Sequence, residues 1–402
     1  MKKYLNNYSA SVFTFLGLVN LSLFSCDTTQ PQENVGLNEK EIIAAVAQKY
    51  KAFTDTVTHY AAVPRTYENG ALKMVSRQDW TRGFFPGSLW YLYKLTGDPS
   101  LMEDATEYSL ALDDIADFKG THDLGFMIYC SAGNGYPLTE DERLYDIMLR
   151  GANALKTRYH DKIKLIRSWD FGQDKGWQFP VIIDNMMNLE FLCWATKATG
   201  DSSYYQIAVD HAKTTLKNHF REDNSSFHVV DYDTTTYQPR WKGTHQGYNG
   251  QSAWSRGQAW GLYGYTMMYR ETKQDEFLQQ ARKIARYILN HENMPTDLVP
   301  YYDYDDPKIP NVPRDVSAAA ITASALIELD QYLPGNNYRQ KAREILENLG
   351  AKYVSPSPGH PFFLGHSVGS MPHNGEIDVP LNYADYYFLE ALLRLMNQKI
   401  NV

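Results

Sequence analysis

VIIDNMMNLEFLCWATKATGD, Val181 to Asp201, carries Asp184 at its head and stays mostly apolar or small until Lys197. A helix apolar on most sides belongs in the middle of a protein. Thr199-Gly200-Asp201 then stops it, with Gly200 suited to a left-handed C-cap. An ordinary amphipathic helix follows at once. This unit of buried helix, tight turn and surface helix decides the fold, because it recurs along the chain.

Five surface segments share one apolar spacing at 0, +4, +7 and +11. They are Leu101-Ala105-Tyr108-Leu112, Leu144-Met148-Gly151-Leu155, Tyr205-Val209-Ala212-Leu216, Phe277-Ala281-Ile284-Ile288 and Tyr338-Ala342-Ile345-Leu349. Each is one stripe of an amphipathic helix. Each follows a turn signal and a more apolar helix, the latter beginning near Thr81, Asp123, Asp184, Ser252 and Arg314. Helices at about 39–59 and 383–397 would pair the two chain ends as a sixth hairpin. The expected fold is all-α, an (α/α)6 toroid of six hairpins. An open solenoid would need polar outer faces on its end repeats, and the apolar Tyr386–Leu395 (YYFLEALLRL) argues for closure. Minor strands are expected in the long connections, Ser226–Tyr232 (SFHVVDY) among them. Connections this long, 60–80, 157–180, 220–252, 292–314 and 351–382, are usually functional. They place every inner helix N-terminus on one face.

The chain has 402 residues, 43% of them hydrophobic, enough for one large core. A formal net charge of -8 without a basic run excludes nucleic acid as a partner class. Lys2 and Lys3 followed by the short apolar run Val12–Phe24 form an export signal. Leu23-Phe24-Ser25-Cys26 resembles a bacterial lipoprotein box, so residues 1–25 are expected to be removed and Cys26 lipidated, with plain secretion as the alternative. Residues 26–38 form a polar tether and 39–400 the catalytic domain. The expected location is periplasmic or membrane-anchored in a bacterium, with the lipid as the sole membrane contact. Cys130 and Cys193 are expected to be buried free thiols. No metal-ligand spacing appears, so neither metal nor cofactor is expected.

The inner helix heads gather Asp79 and Trp80; His122 and Asp123; Asp184; His245, Gln246, Trp254, Arg256 and Trp260; Arg314 and Asp315; Tyr383 and Asp385. For Asp79, Asp315 and Asp385, capping of exposed N–H groups explains the carboxylate. Asp123 and Asp184 are flanked by apolar residues or glycine, which partly desolvates them and pushes their pKa upward, while the helix dipole and nearby donors push it down, a balance the sequence alone does not set. Two such groups meeting in one water-accessible pocket form a general acid/base pair at a sugar. Arg256 is read as a fork for a substrate carboxylate. The residues alone thus point to an acid–base enzyme on an anionic sugar.

THDLGF (121–126), IIDNMMNL (182–189), GTHQG (243–247), SAWSRGQAWGLYGY (252–265) and NYADYYFLEALLRL (382–395) resemble the unsaturated glucuronyl hydrolases, glycoside hydrolase family 88. The resemblance spans essentially the whole mature chain. It implies an (α/α)6 barrel, cofactor-free action, and as partners the oligosaccharides that polysaccharide lyases leave with a 4,5-unsaturated uronic acid at the non-reducing end. It implies hydration of the C4=C5 enol ether, with Asp184 as general acid/base and Asp123 as partner carboxylate. By the same resemblance Trp80, Trp169, His228, Thr244, Gln246, Trp254, Arg256 and Trp260 line the subsites, and Ser367 and Ser370 approach the second sugar or its sulfate. Relatives favouring sulfated substrates can carry a lysine just beyond that second serine, where this chain has Met371. His122 is read as an orienting hydrogen-bonder. The competing readings are a pectin-directed unsaturated rhamnogalacturonyl hydrolase and a non-catalytic glycan-binding lipoprotein. A monomer is expected, with a dimer as the alternative.

Overall fold

A computed structural model describes residues 38–396. The signal segment, Cys26 and the tether up to residue 37 lie outside the described residues, as do 397–402. Six outer helices are α1 (Glu39–Thr54), α3 (Pro99–Leu110), α5 (Glu142–Lys156), α7 (Ser202–Asn218), α9 (Asp275–Asn290) and α11 (Tyr338–Lys352). Six inner helices alternate with them: α2 (Phe84–Thr96), α4 (Asn134–Thr139), α6 (Leu189–Thr199), α8 (Ser255–Thr272), α10 (Val316–Tyr332) and α12 (Asn382–Leu395).

The outer stripes are buried in four of the five helices, and in α7 Tyr205 and Leu216 are half-buried at the ends of theirs. Aspartates start three outer helices: Asp98, Asp141 and Asp201 accept from the backbone N–H two residues on, at 3.0, 2.9 and 2.8 Å. Gly97 and Gly200 end α2 and α6 at φ 74, where a side chain would be strained. Cys130 and Cys193 are free thiols.

The ring closes as α12 packs on α2. Tyr91 shares a hydrogen bond with Tyr386 at 3.0 Å and donates to Glu390 at 3.2 Å. Asp385 does not cap its own helix: it accepts from the N–H groups of Phe363 and Leu364 at 2.8 Å each and from Tyr50 at 3.1 Å, tying α1 to α12. Tyr50→Phe deletes one bond to this buried charged acceptor and is expected to cost about 2 kcal/mol. The check is a fall in the denaturant midpoint at unchanged m value.

Buried charges on the inner helices cross-link the ring. Arg270 of α8 pairs with Glu328 of α10 at 2.8 Å and with Glu190 of α6 at 2.5 Å. Arg394 of α12 pairs with Glu328 at 2.7 Å and donates to the Ser324 carbonyl and the Tyr263 hydroxyl.

Several boundaries depart from expectation. The first helix stops at Thr54 rather than 59, because strand β1 (Ala62–Glu68) pairs with β2 (Ala71–Ser76) around an Asn69-Gly70 turn. The second inner helix is not α-helical at Asp123. Its first part, Gly125–Gly133, is a π-helix, and regular geometry begins only at Asn134. The third opens with a 3₁₀ segment, Ile183–Asn188. The two irregular segments grip each other. Asn188 accepts from the Phe126 N–H at 3.1 Å, and a Cβ on Gly125 would sit 2.5 Å from that amide oxygen. Wide turns of this kind recur at functional sites.

Candidate active site

One small sheet assembles much of the site. Strand β3 (Phe179–Ile182) pairs antiparallel with β4 (Val229–Tyr232), which pairs with β5 (Pro239–Gly243). β3 delivers Asp184 two residues past its end. His228 immediately precedes β4, and its carbonyl accepts from Ile183 N–H at 3.0 Å. β5 leads into Thr244–Gly247. A hairpin of Ser367–Ser370 with Gly375–Val379 closes the far side.

These elements surround a cavity of about 250 Å3 lined by Trp80, His122, Asp123, Trp169, Phe171, Ile182, Asp184, His245, Gln246, Arg256, Ser370 and His373. A larger cleft of about 890 Å3 opens elsewhere, around Arg221, Lys283 and Tyr287, and holds neither carboxylate. Asp123 and Asp184 thus share one pocket, the arrangement an acid/base pair requires.

Burial pushes the Asp184 carboxyl up to about 7; the Arg256 cation opposes the shift and the Asp123 carboxylate adds to it. Burial likewise lifts Asp123 to about 7, against the Thr121 hydroxyl, 3.0 Å away, and the Arg158 cation. Two imidazoles, in opposite tautomers, face the pair. His122, fully buried, has Nδ1 2.9 Å from the Ser168 carbonyl, so the proton sits on Nδ1. Its Nε2 therefore turns a lone pair to Asp123 Oδ1 at 3.1 Å, which favours a proton on that carboxyl. His228 Nδ1 instead accepts from the His245 and Gln246 N–H groups, at 3.2 Å each. Its Nε2–H is left 3.6 Å from Asp184 Oδ2, too long for a direct bond but close enough to stabilise charge there. Burial pulls the His122 pKa down to about 3 and His228 well below its usual value, so both rings are neutral.

Unpartnered polar atoms concentrate here. His228 Nε2, Arg256 Nε and Tyr383 Oη are buried without a hydrogen-bond partner, and the Trp260 indole N–H partly offsets the effect of burial on the Asp184 carboxyl. Buried polar atoms are nearly always satisfied in native structures, so such a cluster around one carboxylate marks a place built for a bound molecule.

Of the residues expected from sequence, Trp80, Asp123, Trp169, Asp184, Gln246, Arg256 and Ser370 line the cavity. His228, Thr244, Trp254, Trp260 and Ser367 stand behind the lining. Trp254 is wedged between the His228 ring at 4.4 Å and the Arg256 guanidinium at 4.6 Å. Trp260 is fully buried against Phe126 and Tyr387. Thr244 accepts from Gly247 N–H and Ser367 from Ser317 N–H. The Arg256 fork is already engaged: its Nη1 pairs with Asp315 at 2.7 Å and donates to the Val368 carbonyl, and Nη2 donates to the Gly369 carbonyl at 2.7 Å. Nε and the second Nη2 hydrogen remain for a ligand, so a fork toward a substrate carboxylate has only that side of the guanidinium to use. Asp315 caps α10 through Ser317 N–H, as expected, and also grips Arg256. Asp79 accepts from Thr81 N–H at 2.9 Å and pairs with Arg65 at 2.7 Å.

Phe171 and His373 also line the cavity and were not picked out as site residues. Phe171 stacks on Trp169 at 4.8 Å and is 48% exposed. The density of aromatic residues and glycine in SWDFGQDKGW (168–177) was the available signal.

The glycosyl hydrolase family 88 model matches residues 50–387. The chain belongs to this family. An unsaturated glucuronyl hydrolase of Formosa agariphila is 49% identical over 326 residues, 80% of this chain and 81% of the relative. The crystal structure of an unsaturated glucuronyl hydrolase specific for heparin superposes with a TM-score of 0.86 at 46% identity, covering 89% of this chain and 97% of that one. A Streptococcus agalactiae unsaturated glucuronyl hydrolase variant complexed with dGlcA-GalNAc6S gives 0.77 at 28% identity, covering 90% and 91%. This family 88 member is accordingly an (α/α)6 glycoside hydrolase.

Proposed function

We propose that the enzyme clears unsaturated glycosaminoglycan fragments, with Asp184 as the acid that starts the reaction. Protonated Asp184 delivers its proton to C4 of the C4=C5 bond, and positive charge develops at C5 and the ring oxygen. Asp184, now a carboxylate, takes a proton from the water that adds to C5. The resulting hemiketal opens to a C5 ketone, and the linkage at C1 breaks down to an aldehyde, releasing the second sugar. Asp123 binds the uronic acid and, held toward its protonated form by His122, keeps a second negative charge away while Asp184 cycles. Trp169 and Phe171 supply apolar faces for the sugar rings, and Arg256 Nε faces the substrate carboxylate.

The observation that carries this reading is two buried carboxyls, both shifted to about 7, in one aromatic-walled cavity of a family 88 member. The experiment is a screen of purified protein on unsaturated disaccharides of hyaluronan, chondroitin, heparin and pectin, following loss of the conjugated double bond. Activity on the pectin disaccharide alone would overturn the glycosaminoglycan assignment. The pH dependence follows from the shift. Asp184 stays protonated until near neutrality, so kcat should be high below about pH 7 and fall tenfold per unit above it.

Export and lipidation at Cys26 are proposed on the N-terminal sequence alone. Radiolabelled palmitate should enter the protein in a bacterial host and be lost in Cys26→Ser.

A further inference from the structure

Helix α9 buries the stripe Phe277, Ala281, Ile284 and Ile288 and turns its three cations, Arg282, Lys283 and Arg286, to the exterior. Other outer helices answer such charges with acids: Lys51 of α1 pairs with Asp55 at 2.9 Å, Arg150 of α5 with Asp117 at 2.6 Å, and Arg343 of α11 with Glu39 at 3.2 Å. Among the described residues, none of the three α9 cations has a carboxylate within ion-pair distance. Arg282 and Arg286 also stand one turn apart on the same face, where like charges repel and weaken a helix. In a chain of net charge -8, an unanswered row of cations is a local exception that works against the helix carrying it.

The row lines a groove of about 590 Å3 between α9 and the start of α11. Lys341 joins it from α11, with amide side chains and Tyr338 between the cations, and among the described residues no carboxylate lines the groove. Lys341 pairs with Glu344 at 2.7 Å, which leaves the α9 cations as the uncompensated charge. Arg282 acts across the groove, its charge opposing the rise that burial imposes on the Tyr338 hydroxyl. Lys283, Arg286 and Asn290 are shared with the cleft of about 890 Å3 around Arg221. That cleft also holds Asp223, Glu292 and Asp305, so its charges balance while those of the groove do not. Asp305 accepts from the Ala253 N–H at 2.8 Å, two residues before α8 begins. The track thus runs from the flank of the ring to the face that carries the inner helix N-termini.

We propose that this track binds the chain of an acidic polysaccharide, apart from the catalytic cavity. Cations spaced along a helix suit an anion that repeats along a polymer, and amide side chains suit the hydroxyls between its charges. A lipid surface is flat and would meet only the crest of α9, whereas the donors here line a groove. A polymer held on the wall raises the local concentration of its chain ends at the cavity. That link to turnover rests on the hydrolase reading; the binding does not.

The test uses intact hyaluronan, chondroitin sulfate and heparin never exposed to a lyase, which lack the unsaturated sugar and so offer the catalytic cavity no substrate end. Affinity electrophoresis compares wild type, the triple variant Arg282→Gln/Lys283→Gln/Arg286→Gln and a charge-matched control. The control is Lys40→Gln/Lys162→Gln/Lys217→Gln, whose exposed lysines lie off the groove. The α9 variant should bind at least one polymer about tenfold more weakly, with a shallower dependence on salt, while the control follows wild type. Its Tm should be equal or higher, since a like-charge pair is gone, and its kcat/KM on unsaturated disaccharides should stay within about twofold. Equal losses in both triple variants would reduce the effect to net charge and overturn the proposal, as would a wild type that binds none of the polymers. Stronger α9-dependent binding to phosphatidylglycerol vesicles than to any polymer would assign the row to a membrane surface and overturn it too. A protein inert toward every unsaturated disaccharide that still needs the α9 cations to hold polymer would overturn the hydrolase reading alone.

Discussion

Asp184→Asn is expected to bind unsaturated disaccharide normally and to turn it over on the order of 10³-fold more slowly. The amide keeps the shape of the carboxyl but can neither deliver a proton to C4 nor accept one from water. The loss should fall on kcat, with KM close to wild type, since the group is needed in the transition state rather than for binding. The same substitution should make the fold more stable at neutral and alkaline pH. The folded-state pKa of Asp184 is raised to about 7, against about 3.9 unfolded. Its contribution to stability is therefore fully present below about pH 4 and is lost as pH rises through 7. The asparagine variant escapes that loss. Thermal melts at pH 5 and pH 8 should show wild type losing more stability than the variant between them. A variant with wild-type kcat would remove Asp184 from the chemistry.

Arg394→Met is expected to lower unfolding stability by about 3–5 kcal/mol, because it leaves carboxylates buried without their counter-ion. The Arg394 side chain is 6% exposed and sits 2.7 Å from Glu328 and 3.5 Å from Glu390. Burial pushes the Glu328 pKa up, and the Arg270 and Arg394 cations, with the Tyr332 hydroxyl, turn it below its usual value. Without Arg394, Glu328 must take up a proton or the ring must loosen. Because the lattice lies away from the catalytic cavity, kcat measured well below the new Tm should stay within twofold of wild type. Urea titration at pH 7 and at pH 5 separates the effects, since the deficit should shrink as the stranded carboxylates protonate. A change under 1 kcal/mol at pH 7 would show that the remaining arginine suffices.

The outer helices were legible because their burial depends on local period alone. Leu144, Met148, Gly151 and Leu155 follow the spacing and are all buried. The inner heads were not, since their shape comes from tertiary contacts. No local pattern foretells that Gly125 must approach Asn188 and open a π-helix. Nor does spacing reveal that Arg256 is already held by Asp315, fifty-nine residues away. The opposed tautomers of His122 and His228 depend on which backbone groups reach their rings, which only the assembled loops determine. The hairpin around Asn69-Gly70 is different: that dipeptide is a strong turn signal, and the strands it joins are legible within the long connection 60–80. Asp123 and Asp184 stood out in sequence because charge is conspicuous in apolar surroundings.

Both ends of the described chain touch the same helix. Glu39 pairs with Arg343 of α11 at 3.2 Å, and the Leu395 carbonyl accepts from Arg339 one turn earlier. A short flexible peptide could therefore splice start to finish, and the molecule could be reopened at the exposed Gly335–Asn336 turn without dividing a helix. Such a permuted enzyme would carry its tags or surface attachments at the head of α11, which follows the C-terminal end of inner helix α10 and so lies away from the inner helix N-termini and the sugar pocket.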